Sequence, residues 1–177
     1  RIHLAYQPIV DAKTHVVEYY EALIRLESED GSVLSAEEFV KTAEKLGLVR
    51  LVDHHALDLA IQTLEDYPDA KLSLNVSNDT AGDPEWLSKL AIAAFRMPEI
   101  VPRLIIEITE SHAVEDFAEA RRFIESLHDL GFKIALDDFG AGFTSFRNLK
   151  SLPFDIIKID GHFATDMENN PENTTFI

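Results

Sequence analysis

No cysteine occurs in these 177 residues, and cations are scarce: 16 Lys and Arg stand against 32 Asp and Glu. Without cysteine there is no disulfide framework and no thiolate metal site. A formal net charge of −16 with no offsetting basic face argues against DNA or RNA polymers as partners. A phosphate ligand stays possible, provided divalent cations mediate the contact. No apolar run reaches the roughly 18 residues of a membrane span, and no signal peptide is visible. No low-complexity segment or close repeat is present either. Position 1 is Arg rather than Met, so the expectation is a segment of a longer polypeptide, cytoplasmic, with any tether to an inner membrane outside it. What remains is an ordinary globular composition, 46% hydrophobic and 27% charged. That suffices for one cored domain over residues 1–177, and no shift in composition argues for two.

Strand and helix patterns alternate along the chain. Residues 2–10 and 16–27 read as a hairpin around the polar turn 11–14, and Gly31–Ser35 as a loop. Ser35 and Glu38 make a capping box for a helix to about Lys45, and a second helix runs from Val49 to about Glu65. Lys71–Val76 is a strand, and Asp83-Pro84-Glu85 opens a helix to about Phe95. Arg103–Thr109 is a strand, and residues 114–130 form a helix closed by Gly131. Lys133–Asp160 is the most telling stretch. The apolar Ile134-Ala135-Leu136 empties into Asp137-Asp138, Gly140 and Gly142 follow, a short helix spans about 146–151, and a strand over 154–160 ends in Lys158 and Asp160. The tail from Asp166 reads as loop or the start of a helix.

The polar groups near strand ends are Asn75, Glu107, Asp137 and Lys158, spaced 32, 30 and 21 residues apart. Those intervals are about one βα unit each, which predicts an α/β fold. In a parallel barrel such groups meet at the C-terminal face of the strands. A doubly wound open sheet competes, although its glycine-rich phosphate fingerprint is missing. With Glu21 on the second strand, Glu21, Asn75, Glu107, Asp137 and Asp138 make an oxygen donor set suited to Mg²⁺, Mn²⁺ or Ca²⁺. Adjacent aspartates suit two cations about 3.5–4 Å apart, a pair able to activate water and stabilise the leaving oxygen of a phosphoester. Lys158 would add positive charge beside the attacking water or a phosphoryl oxygen. Any one of these acids alone is as readily a helix cap or a solvated residue; five donors on four elements are not.

Other motifs carry less. Asp138-Phe139-Gly140 is the kinase metal tripeptide, but no nucleotide loop or catalytic loop accompanies it. His54 and His55 point about 100° apart on a helix and do not suit one metal. Ser145 lacks a His/Asp partner for a triad. Gly140-Ala141-Gly142 makes a weak phosphate cradle and a better tight turn.

Tyr6-Gln7-Pro8-Ile9, Glu21-Ala22-Leu23 with Arg25, Leu74-Asn75-Val76-Ser77, Glu107-Ile108-Thr109-Glu110, Asp137 to Gly142, and Lys158-Ile159-Asp160 follow one another in order. Together this series resembles the EAL-domain family of bacterial cyclic di-GMP phosphodiesterases. The resemblance implies a TIM-like (β/α)8 barrel with an antiparallel first strand, about six of whose eight strands lie in this chain. It implies hydrolysis of cyclic di-GMP to pGpG with Mg²⁺ or Mn²⁺, as two ions, and inhibition by Ca²⁺. By motif position Glu21, Asn75, Glu107 and Asp137 would be metal ligands and Asp138 would serve the second metal. Lys158 would orient the attacking water and Asp160 would support the site. Arg25 would hold a substrate phosphate, Gln7 and Leu23 would line the pocket, and Glu110 would anchor the loop from Asp137 to Ser145, tied in the family to dimerisation.

A whole barrel of this kind takes about 250 residues. Its last strands should carry a further catalytic Glu and a substrate-contacting Gln, neither of which occurs in this sequence. The expectation is therefore an incomplete EAL domain within a larger protein, with fused regulatory domains and a homodimeric assembly. Two other readings stand beside the enzyme: a catalytically silent cyclic di-GMP receptor, which commonly lacks a metal ligand, and an interaction scaffold binding neither metal nor nucleotide.

Overall fold

A computed structural model of the protein describes residues 1–141 and 152–165. Strands β1 (Ile2–Val10) and β2 (Val17–Glu27) form the hairpin, followed by β3 (Val33–Ser35), α1 (Ala36–Lys45) and α2 (Val49–Asp66). Next come β4 (Leu72–Asn75), α3 (Asn78–Ala81), α4 (Pro84–Arg96), a 3₁₀ helix (Pro98–Arg103) and β5 (Leu104–Thr109). Then follow α5 (Glu110–Glu115), α6 (Phe117–Asp129), β6 (Lys133–Phe139), β7 (Ile156–Ile159) and α7 (Gly161–Thr165). The sheet runs β1-β2-β4-β5-β6-β7, with β3 on the side against β2. Among the described residues only β1–β2 and β2–β3 are antiparallel; every step from β2 through β7 is parallel. An antiparallel first strand followed by a parallel run is the TIM-like arrangement that the resemblance implies. No helix among the described residues is long and apolar enough to cross a membrane.

The middle strands read as continuous apolar runs because both of their faces are covered. One face packs on α2, α4 and α6 through Leu57, Leu64, Trp86, Leu90 and Ile124, all fully buried. Asp83 opens α4 by accepting the Glu85 N–H at 2.9 Å, with Pro84 at the first helical position where its missing N–H costs nothing. Glu38 accepts the Ser35 N–H at 2.6 Å, which supports the start of α1.

Several elements differ from the sequence reading. Gly31–Ser35 is not all loop: Val33–Ser35 pairs with Arg25–Glu27 as β3. A three-residue strand exists only because β2 offers it an edge, and no local pattern announces that. The helix expected over 114–130 is two helices, α5 and α6, parted at Asp116, whose carboxylate accepts the Glu119 N–H and starts α6 afresh. The strand expected from Phe154 begins at Ile156, because Asp155 turns its carboxylate onto the β6 backbone at Ile134 instead. Arg103 ends the 3₁₀ helix rather than starting β5. Its guanidinium donates to the carbonyls of Leu64, Tyr67 and Ala70, closing the end of α2. The helix expected near 146–151, Ser145, Gly142 and the tail from Asp166 lie outside the described residues.

Candidate active site

Side chains on a strand alternate between its two faces, and parallel neighbours in register share a face. Asn75 stands beside Glu107, Glu107 beside Ala135, and Thr109 beside Asp137. Glu21 stands beside Ser73, two residues before Asn75. Glu21, Asn75, Glu107 and Asp137 therefore lie on one face of the sheet, toward the C-terminal ends of its parallel strands. Lys158, on β7, joins them from four strands away. In a flat sheet β2 and β7 would lie about 19 Å apart at the usual strand spacing. Here Lys158 Nζ is 3.2 Å from Glu21 Oε2. The sheet curves far enough to bring its two flanks to one point.

At that point carboxylate oxygens of Glu21, Glu107 and Asp137 lie within 4.8 Å of one another. The Lys158 ammonium sits among them, 2.6 Å from Glu107 Oε2 and 3.0 Å from Asp137 Oδ2. Asn75 Nδ2 donates to Glu21 Oε1 at 3.1 Å. Glu107 is 0% exposed, and burial pushes its carboxyl above the usual range, with the Lys158 charge pulling it back. Burial likewise pulls the Lys158 ammonium down, but the Glu107 and Asp137 carboxylates outweigh this and hold it far above an ordinary lysine. Lys158 is thus a fixed cation.

Glu107 Oε1 is buried and makes no well-formed hydrogen bond, although the Ser73 hydroxyl lies near enough to draw the Glu107 carboxyl back down somewhat. A buried carboxylate oxygen left over after its lysine is satisfied is costly unless something else claims it. An oxygen-only donor set around such an atom fits a hard divalent cation, Mg²⁺ or Mn²⁺, better than a softer metal.

Asp138 is not one of the three clustered acids. It is a non-glycine residue in the left-handed region, φ 56°, a conformation that costs on the order of 1–3 kcal/mol. Partial desolvation and the charges of Asp137 and Asp160 raise its carboxyl above the usual value. Its N–H donates to Asp137 Oδ1 at 3.0 Å, which steadies both aspartates. Glu110, 3% exposed, accepts the Gly140 N–H at 2.6 Å. Asp160 accepts the His162 N–H at 2.7 Å through its carboxylate and donates its own N–H to Phe139 O at 3.1 Å.

Beside the centre lies a cavity of about 700 Å³, lined in part by Leu23, Asn75, Ser77, Thr109 and Asp138. That is within the range of small-molecule sites. Gln7 stands directly opposite Glu21 in the β1–β2 ladder. Arg25 turns its guanidinium to the Ile24 carbonyl, 2.8 Å away, rather than into the acidic centre. His54 pairs with Asp83 at 3.0 Å, while His55 is exposed, so the two share no site.

Two neighbours of the centre escaped the sequence reading. Ser73, fully buried, sits on the same face as Asn75, and its hydroxyl helps draw the Glu107 carboxyl down without forming a well-aligned hydrogen bond. Tyr19, two residues before Glu21, has its phenol pushed up by burial and then by the Glu107 charge. The period of two that placed Glu21 would have found both.

The chain is 29% identical over 168 residues to the cyclic di-GMP phosphodiesterase PdeF of Escherichia coli, covering 93% of this chain and 22% of PdeF. It is 31% identical over 175 residues to the cyclic di-GMP phosphodiesterase PA2567 of Pseudomonas aeruginosa, covering 96% of this chain and 30% of that protein. It thus spans under a third of the length of either relative. Among solved structures, the FimX EAL domain from Pseudomonas aeruginosa bound to c-di-GMP superposes with a TM-score of 0.88 at 28% identity, over 99% of this chain and 72% of that one. The EAL domain model matches residues 1–177, and with that match this chain belongs to the EAL domain family.

Proposed function

We propose that this domain hydrolyses cyclic di-GMP to linear pGpG, using Mg²⁺ or Mn²⁺ held by Glu21, Asn75, Glu107 and Asp137, with Asp138 serving a second ion. The observation that carries the reading is the convergence of three carboxylates from three separate strands, one of them fully buried, within 4.8 Å of one another. Relatives named cyclic di-GMP phosphodiesterases and a neighbour bound to c-di-GMP support the choice of substrate.

Bound divalent ions would supply Lewis acidity toward the phosphoester and ease the ionisation of water. The chain's own groups do the rest. Asp138, which stands apart from the three clustered acids and whose carboxyl is raised by partial desolvation and by the Asp137 and Asp160 charges, takes the proton of the attacking water. The water oxygen bonds to phosphorus as the P–O3′ bond breaks, and the departing 3′ oxygen takes up a proton from solvent, to which Asp138 returns the one it accepted. Lys158, permanently charged, offsets the negative charge that builds on the phosphoryl oxygens. Leu23, Ser77 and Thr109 line the space beside this centre where a nucleoside half would lie. Residues 1–177 would then be one part of an EAL domain within a longer protein.

The deciding test incubates the full-length protein with cyclic di-GMP and Mg²⁺ or Mn²⁺, with and without chelator, and follows products by chromatography. Chelator-sensitive pGpG is the expected result, abolished in Glu21→Ala and Asp137→Ala. Nucleotide bound but never cleaved would overturn the enzyme reading and make the domain a receptor.

A further inference from the structure

We propose that Phe163 is a positioning residue for this reaction: its ring is the stop on which the Gly140 turn rests, and through that turn it holds Asp138 in place. The inference rests on the phosphodiesterase reading above.

Gly140 adopts φ +96°, and a Cβ there would lie 2.5 Å from Phe163 Cε2 and 2.9 Å from Cζ. Both distances are too short for a real side chain, so the ring edge lies directly on the glycine backbone. Two unrelated requirements, the left-handed φ and this contact, both exclude a side chain at this position. The ring is itself well anchored. Asp160 donates its N–H to Phe139 O at 3.1 Å, and its carbonyl accepts the Phe163 N–H at 3.1 Å. The Asp160 carboxylate takes the His162 N–H at 2.7 Å. The β7–α7 corner is thereby tied to the end of β6, and Phe163 emerges from it over Gly140.

Gly140 is held at two points. Glu110, the first residue of α5, accepts its N–H at 2.6 Å, and the Phe163 ring lies where a Cβ would stand. Two residues upstream, Asp138 carries a strained backbone, and the Ala141 N–H closes the turn onto Asp138 O at 3.1 Å. A strained residue keeps its conformation only where its surroundings over-determine it. Without the ring, the turn can relax and carry the Asp138 carboxyl away from the centre. Phe163 offers a metal or a phosphate no donor atom, so any effect on either must pass through the turn.

The test uses the full-length protein with Phe163→Leu, Phe163→Ala and, as reference, Asp138→Asn. Three quantities are measured: Mn²⁺ binding by calorimetry, kcat and KM for cyclic di-GMP, and Tm. The expected result is a graded loss, about 3–10-fold for Leu and about 10–100-fold for Ala, in kcat and in the Mn²⁺ affinity that Asp138→Asn also weakens. KM stays within about threefold and the loss does not follow Tm. Wild-type Mn²⁺ binding and kcat in Phe163→Ala would overturn the proposal. Should that variant not fold, Phe163→Leu decides alone: a threefold loss of Mn²⁺ affinity at unchanged Tm supports the role, and a wild-type isotherm ends it. A wild-type protein without chelator-sensitive hydrolysis would instead sink the phosphodiesterase reading, and the Mn²⁺ isotherms would still decide for or against Phe163.

Discussion

Two buried acids, Asp53 and Glu107, lie under the same open face and solve the same problem differently. Asp53 is 6% exposed and Glu107 0%, and burial raises the pKa of both. Asp53, on α2, is met by neutral donors: the Ser77 N–H at 3.0 Å and the Ser77 hydroxyl at 2.5 Å, both on Oδ2. Those bonds fasten α2 to the start of α3. Glu107 is met by a full charge, Lys158, with the Ser73 hydroxyl a weaker influence, and its Oε1 makes no well-formed hydrogen bond. An acid that ties elements together spends its lone pairs on the fold, whereas an acid kept for a ligand leaves one free. Burial and pKa direction do not separate the two roles; the identity of the partners does.

Substitutions that should affect one acid and spare the other sharpen this contrast. The largest effect is expected of Glu107→Gln, which keeps the shape and removes the charge. Turnover and Mn²⁺ binding should be lost, while the metal-free Tm moves by no more than about 2 °C, under about 1 kcal/mol. Retained Mn²⁺ binding would place the cation elsewhere.

Lys158→Met comes next. It strips three carboxylates of their shared cation, and breaking a buried pair costs about 3–5 kcal/mol. Thermal unfolding of the metal-free variant should fall on the order of 10 °C, with saturating Mn²⁺ recovering most of it. Turnover should fall more than substrate binding. A metal-free Tm like that of the wild type would show the carboxylates need no internal cation.

Ser77→Ala removes one of the two donors to Asp53 and should cost about 1–3 kcal/mol, read as a lower Tm with Mn²⁺ binding untouched. Asp53→Asn is the smallest change, because the amide oxygen still accepts from Ser77. The folded pKa of Asp53 is raised, so its contribution to stability is fully present below the unfolded value near 3.8 and is lost as pH climbs through the folded value. The variant should therefore match or exceed wild-type stability at pH 7, by a few degrees at most, and lose that advantage as pH falls toward 3.8. An advantage that grew on acidification would reverse the sign argued here.

Much of this was readable in the chain itself. The strand-end positions of Asn75, Glu107, Asp137 and Lys158, and the antiparallel hairpin before them, follow from alternation and βα spacing alone. What was not readable depends on partners distant in sequence. β3 needs the edge of β2, the α5–α6 break needs the Asp116 carboxylate to prefer a new cap, and Asp155 leaves its strand to bond Ile134. The sequence reading set Lys158 beside a water or a phosphoryl oxygen; its place among Glu21, Glu107 and Asp137 comes from curvature accumulated over four strand pairs. The Arg25 guanidinium, resting on Ile24 O, is likewise a matter of rotamer that no motif encodes.

The contact between Lys158 and Glu21 makes the centre a caliper for the whole sheet. Its jaws are β2 and β7, and the gap between them sums every twist and tilt of the strands in between. Small slackening at each strand pair, too slight to melt any helix, adds up at the jaws and opens them by ångströms. In mild denaturant, hydrolysis should then fade well before circular dichroism registers unfolding. A substitution anywhere along β4, β5 or β6 that flattens the sheet would be felt first as lost chemistry and only later as lost structure.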